Sequence, residues 1–185
     1  MKIFLDVDGV LADFVGAALA VHDCDDPWET NHHNLGKYEL ANLIGLCSNS
    51  FWAATNHHDF WANLDPLPDG RSLVGFLEKE PHHIFFATSP TLSPHCSSGK
   101  HEWIEKHYPR YSRKSFIGAA KEIFGHIPNS LLIDDNDTNV EKFRMAGGQA
   151  ILWPQPWNSG FQFRMDRIDY FADAFAKVLN GKSFY

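Results

Sequence analysis

Short apolar runs recur along the chain, each bounded by polar or turn-forming residues: Ile3 to Val7, Ile84 to Ala87, Ser115 to Gly118 and Leu131 to Ile133, with Ala150 to Trp153 as a fifth. They are too short for buried helices, and the segments between them have helical character, so they predict buried strands of a parallel sheet. Among the intervening segments, Lys100 to Tyr108 carries Trp103, Ile104, His107 and Tyr108 at helical spacing. Ile168, Phe171, Phe175, Val178 and Leu179 make one apolar stripe near the end. Alternation of strand and helix predicts an α/β fold, a doubly wound, Rossmann-like parallel sheet.

The alternation breaks between the first two runs, where about seventy residues intervene although a crossover needs only a dozen or more. This excess predicts an inserted helical cap over residues 14–75, with the core made from residues 1–13 and 76–185. The inserted stretch holds Trp28, Trp52 and Trp61, a helix-compatible segment from Tyr38 to Ile44, and turn signals from Asp65 to Gly70. After the fifth run, Trp153 to Ser159 reads either as a wall of the site or as a proline-rigid loop. The final Ser183 to Tyr185 reads as a frayed tail.

At 185 residues, with 44% hydrophobic and 21% charged residues, the chain suits one globular domain carrying a small insertion. The net charge of −7 disfavours a polymeric nucleic-acid partner, which would be held by neutralising its phosphates. A small phosphorylated substrate remains compatible, because one bound cation reverses a local field. Cys24, Cys47 and Cys96 are odd in number and widely spaced, which suggests a reducing compartment. The chain offers no run approaching ~18 apolar residues and starts without an apolar leader, so a cytoplasmic protein with no membrane partner is expected.

Ligands of open parallel sheets bind beyond the carboxyl ends of the strands. There the chain places Asp6 and Asp8 in DVDGV, Thr88 and Ser89 in FATSP, Lys121, and Asp134 and Asp135 in LLIDD. Carboxylates converging at one rim repel unless a cation or protons neutralise them. A hard divalent ion with oxygen ligands answers this, and magnesium suits a few carboxylates plus substrate phosphate better than calcium does. Each element also has an ordinary reading: DVDG as a turn, Thr88 and Ser89 as turn residues, one of Asp134 and Asp135 as a helix cap. Their order at successive strand ends favours chemistry. Lys121 is preferred over Lys114, which precedes its strand.

These segments resemble the four ordered motifs of the haloacid-dehalogenase-like superfamily. The resemblance implies that Asp6 attacks phosphorus and forms an aspartyl-phosphate, while Asp8 protonates the leaving alcohol and then activates water. It implies that Thr88, Ser89 and Lys121 bind the phosphoryl group. Mg²⁺ would be held by Asp6, the Asp8 backbone carbonyl and Asp135, with Asp134 orienting Lys121 or a metal-bound water.

A narrower resemblance runs from DVDGVLADF through FWANLDPLPDG and FATSP to LLIDD. It is similar to the cytosolic and mitochondrial 5'(3')-deoxyribonucleotidases, and implies a deoxynucleoside monophosphate substrate whose base Phe14 and Trp61 enclose. Packing of the cap is the other reading of both rings. The chain departs from that family's pattern at Ala119 and Asn136, where arginines often stand. A phosphatase of another small phosphomonoester or nucleic-acid end, and a nucleotide-binding protein without turnover, are the alternatives at this point.

Overall fold

The computed structural model describes residues 1–118 and 120–181; Ala119 and residues 182–185, which include the Ser183 to Tyr185 tail, lie outside the described residues. Five strands, β1 (Lys2–Leu5), β2 (His83–Thr88), β3 (Ser115–Ile117), β4 (Ser130–Asp134) and β5 (Gln149–Leu152), coincide with the five apolar runs. They form one parallel sheet in the order β3-β2-β1-β4-β5. The central register pairs Leu5 with both Phe86 and Ile133, so the chain leaves β1, β2 and β4 at nearly the same level.

Alternation along the strands divides the core between the two faces. Ile3, Leu5, Leu131, Ile133 and Ile151 belong to the larger cluster, whereas Phe4, Leu132, Ala150 and Leu152 pack with Val140 and Phe143 on the other side. Both faces are covered, which is why these strands read as unbroken apolar runs.

Helices α1 (Phe14–Val21), α2 (Pro27–Thr30), α3 (Leu40–Leu43), α4 (Ser48–Ala54), α5 (His58–Ala62) and α6 (Pro68–Leu77) all lie between β1 and β2. The expected end of the insertion, residue 75, falls inside α6. That helix packs on the sheet-flanking α9 (Arg167–Leu179), with Phe76 edge-on to Phe171 and Phe175. Helix α5 packs most closely on α7 (Pro94–His107). Gly99 permits this approach, because a Cβ there would lie 2.6 Å from His58 O and from the Trp61 Cβ. Helix α8 (Asp137–Met145) is capped by Asn136, whose side chain accepts from Thr138 N and Asn139 N. The capping role considered for Asp134 or Asp135 therefore falls one residue later. Among the described residues no helix is long and apolar enough to cross a membrane.

Candidate active site

Asp6 is the first residue beyond β1, anchored by its own N–H to Ile133 O (2.9 Å). Its Oδ1 accepts from Val7 N at 2.7 Å. The chain then turns back, with the amides of Leu11 and Ala12 both donating to Val7 O. Gly9 takes φ +72° at this turn, and a Cβ there would sit 2.3 Å from Asp135 Oδ2. Only glycine tolerates both demands.

Two buried lysines stand among the carboxylates. Lys121 Nζ lies 2.6 Å from Asp6 Oδ2 and 2.7 Å from Asp134 Oδ2. Burial alone would lower its pKa, but the charges of Asp6 and Asp134 outweigh that and hold it above the usual lysine range. Lys100, from α7, forms an ion pair with Asp8 Oδ2 and donates to Thr88 Oγ1 (2.8 Å) and Ser89 O (3.0 Å). Its ammonium also sits 5.1 Å from the centre of the Trp61 ring.

The carboxyl groups are correspondingly perturbed. Burial, aided by Asp6, pushes Asp134 up to about 6 against the pull of Lys121. Asp135 is raised well above the carboxylate range by burial and by Asp134 and Asp6. Burial raises Asp8 despite the opposing Lys100, and Asp6 adds to the rise. Its Oδ1 is buried without a hydrogen-bond partner among the described residues.

The donor set fits a divalent cation. Asp6, Asp134 and Asp135 each offer an oxygen, and these lie within 4.8 Å of one another. Fully ionised, the four carboxylates would exceed the two ammoniums by two charges, which one divalent ion would offset. Oxygen donors alone suit a hard cation.

Above this floor opens a cavity of about 430 Å³, lined in part by Phe14, Phe51, Trp52, Trp28 and Trp157. The expected pair is placed differently from a base clamp. Phe14 and Trp61 stack directly on each other, with centroids 5.4 Å apart and planes at 10°, which leaves no gap for a third ring. Trp61 is 2% exposed, does not line the cavity, and donates its indole N–H to Thr55 O at 2.9 Å. Phe14 also stacks on Trp52 (5.9 Å, 21°), which is 40% exposed and reaches the cavity.

Asp6, Asp8, Thr88, Ser89, Lys121, Asp134 and Asp135 thus gather at one strand edge, and Lys114, at the far end of β3, does not. Sequence reasoning missed Lys100, whose signal was its place three and four residues before Trp103 and Ile104, on the buried face of their helix. It also missed Trp157, which donates its indole N–H to Asp135 Oδ2 at 2.7 Å from within the undecided Trp153–Ser159 stretch.

Comparison with known proteins agrees with this geometry. A solved haloacid dehalogenase-like protein from Agrobacterium tumefaciens superposes with a TM-score of 0.62 at 14% identity, covering 96% of this chain and 98% of that one. That likeness establishes the fold. The human cytosolic-type 5'(3')-deoxyribonucleotidase is 26% identical over 147 residues, 75% of this chain and 72% of that protein. The mouse mitochondrial 5'(3')-deoxyribonucleotidase is 25% identical over 200 aligned positions, 98% of this chain and 86% of its own length. Residues 1–184 match the family described as 5' nucleotidase, deoxy (pyrimidine), cytosolic type C protein, and the chain belongs to that family.

Proposed function

We infer that the protein is a magnesium-dependent phosphomonoesterase that removes phosphate from deoxyribonucleoside monophosphates through an aspartyl-phosphate on Asp6. The observation that carries this reading is the convergence at the cavity floor of carboxylate oxygens from Asp6, Asp134 and Asp135 within 4.8 Å of one another, beside the Lys121 ammonium. Asp6, Asp135 and the Asp8 main-chain carbonyl would hold Mg²⁺, with Asp134 beside them. When bound, the ion offsets the repulsion between the carboxylates and a phosphate dianion.

In the first half-reaction an Asp6 carboxylate oxygen bonds to phosphorus as the bond to the sugar oxygen breaks. Asp8 gives that oxygen its proton. In the second half Asp8, now a carboxylate, takes a proton from water as the water oxygen displaces Asp6 from phosphorus. Burial and the neighbouring Asp6 raise the Asp8 pKa against the pull of Lys100, the direction that favours a proton donor. Lys121 and Ser89, which line the cavity, are the proposed contacts for the phosphoryl oxygens, with Thr88 buried beside them and accepting from Lys100.

The base rests on the open aromatic surface, for which Trp52 is the proposed stacking contact, while Phe14, stacked on both Trp52 and Trp61, braces it. Three cysteines without disulfides support a reducing, cytoplasmic setting. Phosphate release from a matched panel of deoxy- and ribonucleoside monophosphates, with magnesium present, tests the assignment. Turnover confined to non-nucleotide esters would overturn the substrate class while leaving the Asp6 chemistry standing.

A further inference from the structure

The loop after β5 is built around one side chain. Asn158 is fully buried; its Nδ2 donates to Asp135 O (2.8 Å) and Trp153 O (2.7 Å), while its Oδ1 accepts from Gln155 N (3.2 Å) and Gly160 N (3.0 Å). Gln155 in turn hydrogen-bonds Gly9 O through Nε2, and Arg167 of α9 holds Pro154 O at 2.9 Å. These bonds leave Trp157 little freedom. Its indole N–H meets Asp135 Oδ2, and its ring packs on Trp28 of the cap with centroids 5.3 Å apart. A second link joins the same loop to the cap, from Gly36 N to Pro156 O at 2.8 Å.

We propose that Trp157 is a positioning residue that orients the metal-binding carboxylate of Asp135 and ties that orientation to the seating of the cap; this rests on the reading of Asp135 as a magnesium ligand. An N–H donor on one carboxylate oxygen biases the group toward binding a cation through a single oxygen. Small octahedral Mg²⁺ uses that mode, whereas Ca²⁺ readily takes both oxygens. Partners of this kind, which hydrogen-bond a ligating group, commonly govern metal affinity by tenfold to a hundredfold. Because the same indole packs on Trp28, a displaced cap removes the support that fixes the ring over Asp135.

The test is Mg²⁺ binding by the full chain, measured by calorimetry without substrate. Trp157→Phe keeps an aromatic ring against Trp28 but removes the donor. It is expected to bind Mg²⁺ about ten- to hundredfold more weakly, while Ca²⁺ binding changes less, so that the Mg²⁺/Ca²⁺ preference narrows. Equal Mg²⁺ affinity in the variant and the natural protein would overturn the positioning role. Absence of Mg²⁺ binding in the natural protein would instead overturn the metal reading, and this inference with it. Should the variant fail to fold, the indole ¹H–¹⁵N resonance of Trp157 in the natural protein serves in its place. A resonance that shifts as Mg²⁺ is titrated supports the role, and one unmoved at saturation refutes it.

Discussion

Lys100→Met isolates the group that ties α7 to the catalytic edge. In the native arrangement Lys100 is the partner of Asp8 Oδ2, and Asp8 Oδ1 has no partner among the described residues. Removing the ammonium leaves the carboxyl beside Asp6 without its hydrogen-bond donor and with only the weaker pull of Lys121 as compensating charge. Breaking a buried ion pair from one side costs about 3–5 kcal/mol. Asp8 retains 23% of its side-chain exposure, and methionine refills the stem's volume, so the low end applies. For a chain of this size about 3 kcal/mol lowers Tm by roughly 6–12 °C. Asp8 then relaxes by holding its proton more tightly, because the opposing influence of Lys100 is gone while burial and Asp6 remain. Protonation of the leaving group survives that change, but activation of water needs the carboxylate. The second half-reaction should therefore suffer most, with kcat falling by about a hundredfold or more. Stopped-flow measurement should show a burst of nucleoside close to the enzyme concentration, followed by slow turnover. Adding Asp8→Asn removes the orphaned charge and should recover part of the lost Tm. Turnover at the wild-type rate in a protein of lowered Tm would refute the reasoning and leave Lys100 a packing residue only.

Asp6→Asn should abolish turnover with an unchanged circular dichroism spectrum, since an amide forms no acyl-phosphate; substantial phosphate release by the folded variant would remove Asp6 as nucleophile. Chelation should silence the enzyme and Mg²⁺ restore it, with activity in excess chelator as the contrary result. The Asp134 carboxyl stands near 6, above its ordinary 3.8, so the ion-free fold binds a proton that the unfolded chain releases. Between those values this group's contribution to ion-free stability falls as pH rises, and Mg²⁺ competes with the same proton. Mg²⁺ affinity and the Mg²⁺-induced rise in Tm should both decline as pH drops through about 6, which calorimetry in buffers of different ionisation enthalpy would register as proton release. Trp52→Ala should lower kcat/KM for a nucleoside monophosphate about tenfold, the equivalent of about 1.4 kcal/mol of stacking, and that for p-nitrophenyl phosphate much less. Trp61→Ala, by contrast, should depress both substrates together, because Trp61 touches Phe14 and Lys100 rather than the cavity.

Local signals in the chain determined the sheet and most of its catalytic edge. A strand covered on both faces leaves an apolar run visible without any partner, and parallel strands deliver whatever follows them to one rim. That is why Asp6, Thr88, Asp134 and Asp135 were legible as a set. Lys121 followed from the same logic, as the lysine on the correct side of β3. Only the tertiary structure decided the rest. Lys100 reaches Asp8 because Gly99 lets α7 press against α5, a contact between segments far apart in the chain. Trp157 reaches Asp135 because Asn158 folds the loop beneath the cap. Phe14 and Trp61 were recognisable as aromatics near the site, yet whether two rings clasp a ligand or each other depends on a few ångströms of helix placement, which no local pattern encodes.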